Sequence, residues 1–374
     1  MKTILHISKY YFPDLGGIET VAMYLAEGMK DYQNVVICFS TDRQYHEDVI
    51  HGTKVYRVPV ELSLLSQDIA FSYPKVLKRV LKEYQPEFVH VHCPNPFVYP
   101  LVLKEVKKPA KVVVHWHSDI LSKGIAYNLI RPLETQLLKK AAVVVSTSPN
   151  YITLSTPLTR FKEKVQIVPN GIIRSNFDKR PGDDKRIQEI RNTYKDKFLI
   201  LTVGRHVPYK GLDMLIKAEQ YINGDVQILI GGKGPETNAL KRLANNNPRI
   251  TFLERLSDNS LRCFCHAADI VAFPSITKAE AFGISLAEAM YCRCAPVTFS
   301  IPGSGVNWLS LKGDTGEEVP LYNIYAFAEA IDKIVSDPEL MERYSTASHL
   351  RIEENFTQEK AIEAMTAVYK SLEE

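Results

Sequence analysis

The chain has no apolar run approaching the roughly 18 residues that a membrane-spanning helix needs. Its opening residues, Met1-Lys2-Thr3-Ile4-Leu5-His6, are broken by polar side chains and lack the long apolar centre of a secretory signal. A cytoplasmic protein is expected. Cysteine is sparse, at 6 of 374 residues, which suits a reducing compartment. Cys263/Cys265 and Cys292/Cys294 form two C-x-C pairs, not C-x-x-C knuckles, and no histidine pattern joins them. Both pairs adjoin helical stretches, where small buried residues belong, and no metal site is assigned to them. The excess of charge is small, +3 overall, and no nucleic-acid partner is expected.

That small excess conceals an asymmetry. Residues 1–180 carry 24 Lys and Arg against 16 Asp and Glu, whereas the remainder carries 22 against 27. A length of 374 residues points to two domains of about 180 residues each. A basic half joined to an acidic one fits that division, and the basic half suits an anionic membrane surface or a lipid-phosphate substrate. The stretch Pro74–Tyr84 adds a basic amphipathic helix, with Val76, Leu77, Val80 and Leu81 on one face and Lys75, Lys78, Arg79 and Lys82 around it. The reading as an ordinary helix packed on its sheet, with a solvated face, is the one preferred.

Short β-rich runs alternate with helical patterns along the first half. Thr3–Ser8, Val35–Phe39, Lys54–Val58, Phe88–His92, Lys111–His115 and Val143–Ser146 read as strands; Ile18–Lys30, Pro74–Tyr84 and Tyr127–Lys140 read as helices. The alternation predicts βαβ units and a mainly parallel sheet, with ligands at the carboxyl ends of its strands. Turn residues at Pro169-Asn170-Gly171 and Pro181-Gly182 place a boundary near 172–185, after which a second alternation begins at Phe198–Val203.

Several segments at predicted strand ends carry polar chemistry. Gly16-Gly17 follows the first strand and precedes a helix, where backbone amides can approach an anionic oxygen. His115, His117 and Asp119 stand where the strand Lys111–His115 ends, and histidine there can bond a sugar hydroxyl or stabilise developing charge. Gly204-Arg205 through Lys210-Gly211 offers a tight turn and two cations suited to a diphosphate. The loop Gly231-Gly232-Lys233-Gly234-Pro235-Glu236 is not a dinucleotide fingerprint, because the third glycine of G-x-G-x-x-G would fall on Thr237.

The segment Phe273–Pro296, FPSITKAEAFGISLAEAMYCRCAP, organises the second half. A strand ends at Phe273, a polar loop carries Glu280, and a helix from near Phe282-Gly283 to Tyr291 carries Glu288. At helical rise the two glutamates are about 12 Å apart and within a quarter turn of one face. The free amides of Gly283, Ile284 and Ser285 between them suit a phosphate. Alone, such a pair reads as a loop cap and a solvated helix position.

Pro274-Ser275, Glu280, Phe282-Gly283 and Glu288-Ala289-Met290 resemble the paired-glutamate signature of family 4 glycosyltransferases, retaining enzymes of the GT-B fold. Gly16-Gly17, the His-Ser-Asp of His117–Asp119, Gly204-Arg205 with Lys210-Gly211, the Gly303–Trp308 loop and Thr315-Gly316 extend the resemblance over nearly the whole chain. It implies an α/β protein of two Rossmann-like domains facing across a cleft: residues 1–178 for the acceptor, joined by a C-terminal helix at 357–374, and 179–356 for the donor. It implies that a hexose moves from a nucleotide diphosphate sugar to a glycan or lipid-linked acceptor with retained configuration. Arg205 and Lys210 would hold the diphosphate, Glu288 the ribose, Glu280 the donor sugar, and His117 that sugar near the reacting carbon. Asp119, Phe282, Gly283, Ile284 and Ser285 would complete the substrate surface, while His115 is read as packing or as supporting His117.

The HWHSD segment and the Gly303–Trp308 loop look most like bacterial polysaccharide and O-antigen enzymes, for which GDP-mannose is the first donor to consider. No two aspartates lie two apart, so the Asp-x-Asp metal grip of the other major glycosyltransferase fold is absent. No metal or cofactor is therefore expected. A nucleotide-sugar epimerase, a phosphorolytic enzyme of the same fold, and a non-catalytic sugar-nucleotide or glycan-binding protein are the alternatives. Cys292-Arg293-Cys294 departs from the family's small-residue and glycine turn.

Overall fold

The computed structural model describes residues 1–14, 16–64, 67–120 and 124–374. They divide into two compact units, Met1–Asn170 with Gln358–Glu374, and Gly171–Thr357. Each unit is built on its own sheet, and each sheet explains where its functional side chains stand.

The first unit's described residues form an eight-stranded sheet in the order Val165–Ile167, Val143–Ser146, Lys111–Trp116, Phe88–Cys93, Thr3–Ile7, Gln33–Ser40, Thr53–Pro59, His46–Ile50. Every pairing is parallel except that of the edge strand His46–Ile50. Strands buried on both faces need continuous apolar or neutral side chains, and runs such as Val112-Val113-Val114 supply them. The charged HEDVI edge alternates between half-buried and exposed positions, so it shows no such run and escapes a search for apolar strands. The chain leaves Thr3–Ile7 towards one side and returns to the other at Phe88–Cys93. That reversal opens a crevice at the carboxyl ends of these two strands.

Helix Tyr73–Tyr84 turns Tyr73, Val76, Leu77 and Val80 into this unit's core. Its apolar face is thus covered, while Lys75, Lys78, Arg79 and Lys82 remain exposed. Two of those cations are already paired, Lys78 with Glu105 at 3.6 Å and Arg79 with Glu47 at 2.6 Å. The last helix, Gln358–Glu373, buries Ala361, Met365, Val368 and Tyr369 against the same unit. Gly28 makes room for it, since a Cβ there would lie 2.2 Å from Ile362 Cδ1. No described helix is long and apolar enough to cross a membrane.

The second unit's sheet is parallel throughout, in the order Ile250–Leu253, Val226–Gly231, Phe198–Val203, Ile270–Phe273, Ala295–Phe299, Glu317–Val319. Its reversal lies between Phe198–Val203 and Ile270–Phe273. The loops that leave these two strands begin at Gly204 and Pro274, inside the segments singled out in the sequence. Both C-x-C pairs are buried free thiols, and Cys294 Sγ donates to the Cys265 carbonyl at 3.1 Å. Arg293 takes the left-handed backbone conformation, φ 70°, that glycine would occupy at lower cost. Its guanidinium is held outside by Glu342 and Thr346 at 2.9 and 2.6 Å, so the unusual turn stands without glycine.

Candidate active site

Three loops meet where the second sheet reverses. Gly232, at φ 117°, lets its loop approach so closely that a Cβ would lie 2.0 Å from the Gly204 carbonyl oxygen. Gly211, at φ 60°, sits against the next loop, where a Cβ would lie 2.1 Å from the Pro274 oxygen. Backbone bonds stitch the same contacts: His206 N donates to Lys233 O at 3.1 Å and Ile276 N to Tyr209 O at 2.9 Å. These approaches carry Lys210 across the Phe273 ring, with Nζ 5.0 Å from its centroid. There Lys210 Nζ bonds Glu280 Oε2 in an ion pair whose side chains are 13% and 11% exposed. Burial pulls the lysine's pKa down, but the Glu280 carboxylate and its neighbours outweigh that and hold it above its ordinary value. Lys210 is charged at neutral pH.

Glu280 is fixed from both sides. Ser275 Oγ donates to its Oε2 at 3.1 Å, and its main-chain carbonyl accepts from Ser304 Oγ. Gly305 N donates to the adjacent Ala281 O at 2.9 Å, so the Gly303–Trp308 loop supports the glutamate loop. The helix starts only at Ile284, after Gly283 at φ 97°. Helical rise and rotation therefore do not relate Glu280 to Glu288, which corrects the distance drawn from their spacing. Phe282 is buried and meets the Phe356 ring edge-on, with centroids 5.7 Å apart, so its side chain lines the core and not an open ligand surface.

The first turn of that helix offers the amides of Ile284 and Ser285, while Ser285 Oγ ties it to Val203 O at 3.0 Å. Glu288 is half-buried, not solvated. Burial, helped by the Asp258 carboxylate and opposed by Lys210, pushes its pKa up to about 8. At neutral pH the carboxyl is mostly protonated and can both donate to and accept from hydroxyls. Arg205 is exposed: its carbonyl accepts from Val207 N at 2.9 Å, while its guanidinium has no hydrogen-bond or ion-pair partner among the described residues. The four ionisable positions thus differ: Lys210 and Glu280 are joined, Glu288 is close enough for Lys210 to act on it, and the Arg205 guanidinium is open to an incoming anion.

In the first unit, Gly16 and Gly17 are exposed at the start of helix Gly17–Gly28. Gly16 has extended backbone, so what glycine supplies there is room, since a Cβ would lie 2.7 Å from Glu19 Oε2. His117 is 5% exposed at the end of strand Lys111–Trp116. Asp119 Oδ1 accepts from Trp116 Nε1 at 2.9 Å and from Ser155 Oγ at 2.6 Å, which pins the turn after His117. His115 faces its neighbours within the sheet, with Nδ1 3.2 Å from His90 Nε2.

Three further histidines escaped the sequence reading. His6, His90 and His92 are buried beside His115 and His117, with neighbouring ring centroids 4.1 to 5.8 Å apart. A usable signal was present: His90-x-His92 repeats the alternation of His115-x-His117, and alternate strand residues share one face. The register supplies the rest, pairing His6 with His90 and His92 with His115. Burial lowers the pKa of all five, so they are neutral at pH 7. Ser275 and Ser304 were present in quoted motifs, but their roles as supports depend on loop contacts that spacing does not reveal.

Comparison with known proteins places this geometry. The family model described as Glycosyl transferases group 1 matches residues 183–351, and that of Glycosyltransferase Family 4 matches residues 15–175. The O-antigen chain mannosyltransferase C of Escherichia coli is 28% identical, with 99% of this chain and 98% of that protein aligned. D-rhamnosyltransferase WbpZ of Pseudomonas aeruginosa is 31% identical, with coverages of 95% and 92%. In fold, sucrose-phosphate synthase of Thermosynechococcus elongatus matches 100% of this chain and 99% of its own, with a TM-score of 0.82 at 20% identity. Both halves match and similarity to the relatives runs almost end to end, so the chain belongs to the family 4 glycosyltransferases of the GT-B fold.

Proposed function

We propose that this glycosyltransferase moves a hexose from a nucleoside diphosphate donor, with GDP-mannose first among candidates, to a glycan or lipid-linked acceptor of a bacterial surface polysaccharide, with retained configuration. The observation that carries the proposal is the convergence of Lys210, Glu280 and Glu288 beside the open Arg205 at the second sheet's reversal. Arg205 and Lys210 take the diphosphate, whose negative charge grows as the glycosidic bond breaks. The amides of Gly283, Ile284 and Ser285 add donors to it. Glu280 holds the sugar and Glu288 the ribose, and in the first unit Gly16-Gly17, His117 and Asp119 are substrate-binding residues. The mannosyltransferase and rhamnosyltransferase relatives support the hexose donor and the polysaccharide setting. Retained configuration comes from front-side attack, in which the departing phosphate takes the acceptor's proton.

Incubation with GDP-mannose and acceptor in EDTA is expected to release GDP and lengthen the acceptor. Loss of transfer that Mn²⁺ restores would assign the stabilising charge to a metal. Release of an altered nucleotide sugar with no lengthened acceptor would indicate an epimerase.

The two glutamates are expected to separate in kinetics. Glu280 touches the sugar that changes on the way to the transition state, whereas the ribose at Glu288 stays the same. Glu280→Gln should lower kcat and leave affinity for the free nucleoside diphosphate nearly intact. Glu288→Leu should weaken donor and nucleoside diphosphate alike, by about 1–3 kcal/mol where ribose hydroxyls lose a buried partner. The reverse pattern in calorimetric titration would exchange the two assignments.

Contact with an anionic membrane would come from Lys75, Lys78, Arg79 and Lys82, each contributing about 1 kcal/mol near the surface and weakening with salt. Co-sedimentation with anionic vesicles should fall in high salt and on changing all four to Ser. Binding indifferent to both would refute this contact.

A further inference from the structure

The five buried histidines of the first unit are not independent. Asn34 Nδ2 donates to the carbonyls of Met29 and Tyr32 at 2.9 and 3.2 Å. Carbonyls only accept, so the amide nitrogen must face them and Oδ1 must face the other way, towards His6 Nε2 at 3.1 Å. That contact is a hydrogen bond only if His6 carries its proton on Nε2. A neutral His6 then has a lone pair on Nδ1, which lies 3.5 Å from His92 Nε2. For that contact to be a hydrogen bond, His92 carries its proton on Nε2, leaving Nδ1 as an acceptor 3.1 Å from His117 Nε2. The same step fixes the proton of His117 on Nε2. What remains is His117 Nδ1, a lone pair, buried and without a partner among the described residues.

We propose that the chain Asn34–His6–His92 is a positioning device that fixes His117 as the Nε2–H tautomer and presents its Nδ1 as a hydrogen-bond acceptor for a substrate hydroxyl. The use of that acceptor rests on the donor-sugar role given to His117 above; the tautomer itself does not. An amide at the far end of the sheet thereby sets the polarity of a group at its carboxyl edge. The arrangement depends on all three rings staying neutral. Burial enforces this, holding His6 at about 4 and His117 at about 3, with the His6 bond to Asn34 opposing the shift. A divalent ion is the competing occupant, because ring nitrogens of His92, His115 and His117 lie within 4.8 Å of one another. It would have to displace the His92–His117 hydrogen bond and bring charge into a cluster that contains no carboxylate.

The test compares Asn34→Leu with Asn34→Asp. Both lose the donors to Met29 and Tyr32, and Asp also sets a carboxylate against those carbonyls, so a merely structural role would harm Asp at least as much as Leu. Only Asp keeps an acceptor for His6 Nε2–H. Imidazole ¹⁵N spectra of the intact protein, with His117 assigned by its loss in His117→Phe, should show a protonated Nε2 and a bare Nδ1 in the wild type and in Asn34→Asp. Asn34→Leu should show mixed tautomers, and its kcat should fall about 10-fold or more with nucleoside diphosphate affinity unchanged. Asn34→Asp should recover most of that activity. An Nδ1–H tautomer in the wild type, or an Asn34→Leu spectrum identical to wild type, overturns the proposal. So does stoichiometric Zn²⁺ uptake by the purified protein with loss of the His92 and His117 bare-nitrogen signals. The expected spectra with unchanged kcat would uphold the tautomer control and remove His117 from the sugar site.

Discussion

The ion pair between Lys210 and Glu280 sets the terms for the second unit. An ion pair nearly removed from water gains little net stability, because desolvation of two charges offsets most of their attraction. Yet three loops are brought to the distance of touching backbones to form it. Gly232 and Gly211 are required for that approach, since a Cβ at either position would overlap a carbonyl oxygen. Ser275 and Ser304 then hold the glutamate's side chain and main chain. Such support keeps Lys210 charged and Glu280 still while the site is empty. A site prepared in advance would not spend binding energy on ordering itself when the proposed diphosphate arrives.

The first unit meets the corresponding problem by another route. Its polar groups at the sheet reversal are neutral imidazoles stacked on one face of adjacent strands, with Tyr369 of the last helix bonded to His90. Neutral rings avoid the cost of burying charge and still transmit direction through their proton positions. The two units therefore hold different chemistry at their sheet reversals: a charged pair in the second, and neutral hydrogen-bonding rings in the first.

Much of this was legible in the sequence, because strong local rules govern it. Buried parallel strands announce themselves as apolar runs, and the loops at Gly204–Gly211 and Pro274–Gly283 carry residue types that diphosphates and hydroxyls require. The edge strand His46–Ile50 was hidden because its charged residues alternate without a continuous run. The pairing of Lys210 with Glu280 was hidden for another reason: 70 residues separate them, and only the return of the chain to the neighbouring strand joins them. Glu288 could be placed on its helix, but its half-burial beside Asp258 and Lys210 could not be read from periodicity. His6, His90 and His92 show the same limit, since strand order and register decide which histidines touch.

The central claim is that Lys210, held ready by Glu280, receives a diphosphate, and that the pair is not there to hold the fold. Calorimetric titration of GDP and UDP into wild type, Lys210→Met and the double variant Lys210→Met/Glu280→Gln tests it most directly, with melting temperature followed in parallel. Lys210→Met should weaken the preferred nucleoside diphosphate by about 10-fold or more, in line with the about 1.5–3 kcal/mol of a charge-assisted bond. Adding Glu280→Gln should relieve the stranded carboxylate and raise the melting temperature without restoring that affinity. Undiminished nucleotide binding by Lys210→Met, with only its melting temperature lowered, would contradict the account and leave the pair a structural one.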